Sequence, residues 1–217
     1  RIAFQEFSEG NLRSVTYGEL AGQRAAVSAF LIGQGIEKGD RVAILSEGRI
    51  GWGAAFFGII EAGGIVVPLD VKLKEPELIN LLNHAQAKGL MVSGKHEELA
   101  QRLAAQVGSL KTILSLEERS ARYPALGSLP PAGRGAFRRD ISDNDTALIV
   151  YTSGTTGTPK GVEITCGNLQ FEVEAFKDLI GLCGQDRLLS ILPVNHLFEI
   201  TGGFLGPLNY GCTFTYS

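Results

Sequence analysis

Short apolar runs alternate with longer segments of helical character from residue 41 to residue 114, and this alternation strongly constrains the fold. Runs at residues 41–45 and 65–68 have the length and the β-branched content of buried strands. The segment between them, residues 51–62, is longer and reads as a helix. Because strands that alternate with helices build βαβ units, the pattern predicts an α/β fold with mainly parallel sheets flanked by helices.

The same reasoning assigns the rest of the chain. The opening predicts two strands, residues 2–7 and 13–17, around a turn that contains Gly10 and Asn11. The further predicted strands are residues 41–45, 65–68, 89–93, 111–114, 147–151, 162–165, 187–192 and 212–216. The predicted helices are residues 17–33, 51–62, 75–84, 96–107, 166–182 and 197–208, the last with a weak point at Gly202 and Gly203.

A proline-containing stretch divides this pattern. Residues 119–145 hold Pro124, Pro130 and Pro131 and interrupt the alternation. We therefore predict a first α/β unit over residues 1–118, with the strand pair at its start, a connecting segment over residues 119–145, and a second α/β unit over residues 146–217.

Composition narrows the function classes. A net charge of −3, with scattered Lys and Arg, lacks the basic patch of a nucleic-acid-binding protein. Glycines and Glu61 interrupt the most apolar stretch, so a buried helix followed by a strand fits it better than a transmembrane segment. The three cysteines are odd in number and form no C-x-x-C pair, which favours reduced, mostly buried thiols in a cytoplasmic protein over disulfides or zinc.

Residues 151–161 read YTSGTTGTPKG and have the makings of a phosphate-binding loop. Glycines let backbone N–H groups approach an anion closely, hydroxyls donate to phosphate oxygens or bind a hard cation, and Lys160 adds a positive charge. Pro159 stiffens the loop by fixing its own φ. The candidate nucleotide-binding residues are Thr152, Ser153, Gly154, Thr155, Thr156, Gly157, Thr158, Pro159 and Lys160.

Three other interpretations of this segment fit less well. A flexible linker would not follow one strand-like run and lead into another. A Walker-type loop has Gly before its Lys and Ser or Thr after it, whereas here Pro159 and Gly161 flank Lys160. A dinucleotide fingerprint, Gly-x-Gly-x-x-Gly, is absent from this position.

Residues 151–162 closely resemble the phosphate-loop signature of the adenylate-forming superfamily, which includes acyl- and aryl-CoA synthetases, luciferases and peptide-synthetase adenylation domains. Three more segments resemble that family in its own order: residues 15–20 (VTYGEL), residues 61–70 (EAGGIVVPLD) and residues 192–198 (LPVNHLF). Together they span nearly the whole chain. The family pattern continues with a Tyr-Gly-x-Thr-Glu segment, an Asp for the ribose and a C-terminal domain with a catalytic Lys. The resemblance therefore implies an incomplete N-terminal domain of the adenylate-forming fold.

The resemblance also implies roles for individual residues. Lys160 and His196 become the candidate catalytic residues, Lys160 on the phosphates and His196 beside the carboxylate and acyl-adenylate. Thr152, Thr155 and Thr156 become candidates for a hydroxyl near Mg²⁺, and the sequence does not rank them. For Glu199 a helix-face carboxylate is the better interpretation than an acid–base partner of His196. His84 and His96 are interpreted as surface or packing residues, and Asp70 as a turn residue.

The implied reaction is ATP-dependent activation of a carboxylic acid to acyl-AMP and then to acyl-CoA, with ATP, Mg²⁺ and CoA. Residues 195–199 (NHLFE) look more like the fatty-acid branch than the amino-acid branch. Adenylation of aryl acids, amino acids or an acyl group for a carrier protein stays open, as does a module that binds nucleotide or pyrophosphate without turnover. We expect the 217 residues to be inactive alone, and the oligomeric state stays open, a homodimer included.

Overall fold

The computed structural model describes residues 1–8, 10–132, 139–152 and 159–216. The strands in these residues are β1 (Ile2–Ser8), β2 (Asn11–Thr16), β3 (Arg41–Leu45), β4 (Ile65–Leu69), β5 (Gly89–Val92), β6 (Thr112–Ser115), β7 (Thr146–Thr152), β8 (Lys160–Thr165), β9 (Arg187–Ser190) and β10 (Thr213–Tyr216). The helices are α1 (Tyr17–Gly33), α2 (Ile50–Glu61), α3 (Glu75–Ala85), α4 (Glu97–Gln106), α5 (Cys166–Ile180), a π-helical segment (Glu199–Leu205) and α6 (Gly206–Asn209).

The strands form two sheets that interleave along the sequence. One has four strands in the order β2-β1-β10-β9, and the other has six in the order β6-β5-β3-β4-β7-β8. Neighbours in both sheets are parallel, except the two antiparallel pairs β1–β2 and β7–β8. The predicted mainly parallel α/β fold is confirmed. The division at residues 118 and 146 stays a prediction, although each sheet takes strands from both sides of it.

Local sequence signals explain where the helices begin. α1 starts with a capping box, in which the Thr16 hydroxyl accepts from the Glu19 amide at 3.2 Å and the Glu19 carboxylate accepts from the Thr16 amide at 2.8 Å. Thr165 and Asn168 form the corresponding pair at α5. Pro76 lies in the first turn of α3, where its missing N–H costs nothing. The predicted bounds of α1 are confirmed at both ends.

Each face of the six-stranded sheet packs against its own hydrophobic core. Alternating side chains of β3 divide between them, with Ile44 in one core and Ala43 and Leu45 in the other. The first core also takes in α2, the π-helical segment and the four-stranded sheet, whereas α3 and α4 cover the second. α2 therefore lies in the layer between the two sheets.

Two glycines let α2 approach its neighbours closely. A Cβ at Gly53 would lie 2.5 Å from the Phe4 ring, and a Cβ at Gly58 would lie 2.5 Å from Val27 of α1. Any larger side chain at either position would push α2 away from β1 or α1, because real Cβ contacts are not that short.

The last predicted helix and the predicted end of β9 differ from the structure. In the Glu199–Leu205 segment the helix widens, and the Gly206 amide donates to the Thr201 carbonyl five residues earlier. β9 ends at Ser190, so the prediction was wrong for Ile191 and Leu192, which are exposed. The physical reason is pairing: Ser190 is opposite Tyr216, the last residue of β10.

Across the described ranges, no helix is both long enough and apolar enough to cross a membrane.

Candidate nucleotide and carboxylate site

The phosphate-loop motif lies on a β-hairpin at the edge of the six-stranded sheet. β7 runs parallel to β4 and ends at Thr152, and β8 begins at Lys160 and returns antiparallel to β7. Thr152 and Lys160 are direct cross-strand partners, and both are exposed. A hydroxyl and an ammonium group thus start and close the loop side by side, at the strand end where open α/β sheets bind ligands.

The structure describes three of the nine predicted nucleotide-binding residues. Thr152, Pro159 and Lys160 are described, whereas Ser153, Gly154, Thr155, Thr156, Gly157 and Thr158 lie outside the described residues. Of the three magnesium candidates, Thr152, Thr155 and Thr156, the structure describes the position of Thr152 alone. These assignments stay predictions.

The chemistry at the hairpin fits a triphosphate. Lys160 supplies a compact positive charge and Thr152 a hydroxyl, and both groups bind phosphate oxygens in proteins. The described residues hold no group of three or more His, Cys, Asp or Glu side chains that could hold a metal ion. Mg²⁺ beside nucleotides takes oxygen ligands from substrate phosphates, water and one or two protein groups, and the Thr152 hydroxyl is an oxygen ligand of the kind that would fit it.

His196 lies in a tight turn between β9 and the following helix. Its amide donates to the Pro193 carbonyl at 3.0 Å, and its carbonyl accepts from the Ile200 amide at 3.0 Å. The imidazole is exposed. The turn thus presents His196 to solvent while Val194, two residues before, is buried.

The segment with His196 also contacts the loop after β3. A Cβ at Gly48 would lie 2.8 Å from the Tyr216 ring and 3.1 Å from Val194. A residue without a side chain therefore lets the two sheets meet at this end. The sequence predicts that Thr152 and Pro193 line one crevice, because each follows a predicted strand and ligands of open α/β sheets lie at the carboxyl ends of strands. This stays a prediction.

Glu199 lies in the π-helical segment three residues after His196, and its position in a helix agrees with the prediction. Its burial was not predicted: it is 4% exposed, and its carboxyl group lies 2.5 Å from the Ser190 hydroxyl. This contact ties the start of the π-helical segment to the end of β9, on either side of His196. No local pattern signals it, because burial of Glu199 depends on β9 and β10 together.

A second buried carboxylate and a tyrosine lie in the same region. Glu6 accepts from the Ile50 amide at 2.7 Å, at the start of α2, where a negative charge is favourable. The Tyr216 hydroxyl has no hydrogen-bond partner among the described residues. Burial, with the nearby Glu6 and Glu199 charges, raises the pKa of Tyr216 well above its ordinary value. Burial likewise raises the pKa of Glu199, and the Ser190 hydrogen bond partly offsets this.

The substitution Glu199→Gln isolates the effect of this carboxyl group on stability. An acid whose pKa is raised on folding keeps its proton when the unfolded chain has already lost it, so its contribution falls as pH rises from the ordinary glutamate value of 4.5 toward the folded value. We expect the unfolding free energy of the wild type, minus that of the variant, to fall by at most about 1.4 kcal/mol per pH unit in this window. Urea unfolding at several pH values measures it.

The exposed residue Glu172 provides the matched control for that measurement. Glu172→Gln should leave the pH dependence of stability as in the wild type. A difference between wild type and Glu199→Gln that stays constant with pH would show that the buried carboxyl does not change its pKa on folding.

A separate apolar cavity of ≈ 530 Å³ lies between α1, α2, α5 and α6. Ala147, near the start of β7, also lines it. Thr152 is five residues further along the strand, or about 16 Å at the usual rise. Arg24 lies at the cavity and faces Glu61 at 3.4 Å. The apolar side chains that line this cavity include Leu20, Phe56, Phe57, Leu169, Leu205 and Leu208.

The three cysteines differ in burial. Cys212 is buried and Cys166 half-buried, but Cys183 is exposed, so the prediction of mostly buried thiols was wrong for Cys183. Burial raises the pKa of the Cys166 and Cys212 thiols, which disfavours the reactive thiolate.

Asp70 accepts from the Lys72 amide at 2.9 Å, which confirms its role in a turn.

The mainly parallel sheets, the strand-end hairpin and the segments around His196 together match the N-terminal domain of the adenylate-forming fold. The chain belongs to the AMP-binding enzyme family, which matches it over residues 1–217. This family membership confirms the resemblance of the phosphate-loop segment to the adenylate-forming superfamily.

Known proteins support this assignment. The chain is 30% identical over 205 residues to the long-chain-fatty-acid–CoA ligase FadD15 of Mycobacterium bovis, covering 90% of this chain and 34% of that protein. It is 27% identical over 216 residues to the crotonobetaine/carnitine–CoA ligase of Citrobacter koseri, covering 96% and 42%. The crystal structure of ATP-bound MatB from Rhodopseudomonas palustris superposes with a TM-score of 0.84 at 25% identity, covering 100% and 42%. The chain thus spans less than half the length of each of these relatives.

Proposed function

We propose that this chain is the ATP-binding part of a ligase that converts a carboxylic acid, and by preference a fatty acid, to acyl-AMP and then to acyl-CoA. The observation that carries the proposal is the pairing of Thr152 with Lys160 at the strand end, where the family's phosphate-loop motif begins and closes. The family match along the whole chain supports the same conclusion.

In the first step a carboxylate oxygen attacks the α-phosphorus of ATP, an O–P bond forms, and the bond to the pyrophosphate breaks. Two anions must meet, so the chain's main tasks are to position them and to neutralise charge. Lys160 and the Thr152 hydroxyl bind the β- and γ-phosphates and the departing pyrophosphate. Mg²⁺, when bound to the phosphates, offsets further negative charge.

In the second step the CoA sulfur attacks the acyl carbonyl, and AMP leaves. We assign to His196 a place beside the carboxylate and the acyl-adenylate, on the exposed turn before the π-helical segment. The contact between Glu199 and Ser190 supports this assignment, because it fixes both ends of the segment that presents the imidazole.

The preference for a fatty acid draws on two features. The NHLFE segment resembles the fatty-acid branch, and the apolar cavity of ≈ 530 Å³ has the size and lining of a site for an aliphatic body. We place the far end of a long acyl chain there, since α6, which lines the cavity, continues the helix that starts next to His196. A small aryl or amino acid would leave such a cavity unfilled.

Exchange of labelled pyrophosphate into ATP tests the proposal. We expect acid-dependent exchange from a polypeptide extended to the length of the relatives, strongest with long-chain fatty acids, and little exchange from the 217 residues alone. Comparable exchange from the 217 residues would show that they already hold the catalytic groups. Strongest exchange with aryl or amino acids would replace the substrate class, and nucleotide or pyrophosphate binding without acyl-AMP from any acid would favour a binding module.

A further inference from the structure

We propose that His84 is a positioning residue for the phosphate loop: through Tyr151 it holds the hairpin whose next cross-strand pair, Thr152 and Lys160, begins the loop. The inference rests on the proposed function as far as ATP is concerned. The contacts that carry it lie in α3 and in the described part of the hairpin, one residue before Thr152.

His84 lies in the last turn of α3, on the side of the sheet that α3 and α4 cover. Its Nδ1 atom is 2.9 Å from the Tyr151 hydroxyl oxygen. The two rings meet edge to face, with centroids 5.6 Å apart and planes at 83°. A polar contact and an aromatic contact therefore join α3 to Tyr151, the residue before the last residue of β7.

The hydrogen bond can run in either direction. Burial raises the pKa of the Tyr151 hydroxyl, with Arg41 opposing this, so the hydroxyl keeps its proton. The protonated hydroxyl donates to Nδ1 when the imidazole proton is on Nε2, and it accepts from Nδ1 when the proton is there. A residue that replaces His84 needs a polar group at this place to keep the contact.

The Tyr151 ring also lies against Gly161. The two residues are direct partners in the β7–β8 register. A Cβ at position 161 would lie 3.4 Å from the Cε1 and Cζ atoms of the ring and 2.8 Å from Ile149. The ring thus occupies the space over a residue that has no side chain of its own, a known way to stabilise a glycine in a strand. β8 is held at this pair by the ring, and His84 fixes the ring.

The position of the Tyr151 ring affects the adjacent cross-strand pair, Thr152 and Lys160. Thr152 follows Tyr151 on β7 and Lys160 precedes Gly161 on β8, and both are exposed, so the Tyr151–Gly161 pair sets their relative position. If the ring is released, the hairpin opens more often, and ATP must order its end on binding. We expect this to raise KM for MgATP while kcat changes little, because the lost ordering affects ground state and transition state alike.

The test compares His84→Phe, which keeps an aromatic edge without the ring nitrogens, with His84→Asn, which offers an amide group near the place of Nδ1. Amide hydrogen exchange should be about two- to tenfold faster in residues 151–152 and 160–161 of His84→Phe, the usual effect of one hydrogen bond, and near the wild-type rate in His84→Asn. In the extended ligase, KM for MgATP should rise by a similar factor in His84→Phe alone. Tyr151→Phe should match His84→Phe, and the double variant should add little to either.

Each outcome decides the inference. Faster exchange confined to the hairpin, with recovery in His84→Asn, supports it. Unchanged exchange in His84→Phe overturns it, and so does faster exchange throughout the chain, which would mean a general structural role. If the wild-type ligase shows no response to ATP, the proposed function fails, and the exchange data still decide whether His84 holds the hairpin. An unchanged KM with a loosened hairpin would remove the link to the nucleotide.

Discussion

Phe204→Ala is expected to lower the free energy of unfolding by about 3–5 kcal/mol, the usual effect of removing a buried aromatic side chain. Phe204 is 2% exposed and lies in the π-helical segment between the two sheets. Its ring stacks on Phe4 at 5.7 Å and meets the Trp52 ring edge to face at 5.2 Å. It also contacts Phe56, Phe57 and Phe214. The loss combines transfer of the ring to water with a cavity that several rigid rings cannot fill.

Urea unfolding of the wild type and the variant measures this change, with Phe171→Ala as the matched control. Phe171 is 71% exposed on α5, so its truncation should change stability by no more than about 0.5 kcal/mol. A loss below about 1.5 kcal/mol for Phe204→Ala would show that neighbouring helices collapse onto the vacated space. We expect Phe204→Ala to destabilise the four-stranded sheet as well, since Phe4 and Phe214 belong to that sheet.

Local signals were sufficient for most of the secondary structure. The apolar run of β3 and the capping residues of α1 specify those elements within a few neighbouring positions, and both were predicted with their observed ends. Sheet membership was not predictable in this way. β1 pairs with β10, more than two hundred residues later in the chain, and that choice is made by the aromatic core between them.

The candidate site shows the same division. Residue types and spacing alone predicted Thr152 and Lys160, because phosphate binding needs small residues, hydroxyls and a charge close together in the chain. The contact of Glu199 with Ser190 and the contact of His84 with Tyr151 were not predicted. Ser190 lies in another element than Glu199, and Tyr151 is 67 positions away from His84. Such pairs carry no periodicity or spacing that a single sequence could display.

Lys160→Ala in the extended ligase is expected to slow pyrophosphate exchange by about 10- to 150-fold, which corresponds to about 1.5–3 kcal/mol for one charge-assisted contact to phosphate. Lys160 is exposed beside Thr152 in the structure, so its truncation leaves the hydrophobic core intact and unfolding should be nearly unchanged. Lys111→Ala is the matched control, because Lys111 is equally exposed but precedes β6, at the opposite end of the sheet's parallel strands. Exchange by Lys160→Ala at the rate of the Lys111→Ala control would remove Lys160 from the site. If Lys160→Ala loses both pyrophosphate exchange and stability, Lys160 instead stabilises the folded hairpin. A residue that acts only on phosphate affects the reaction and leaves the folded state unchanged.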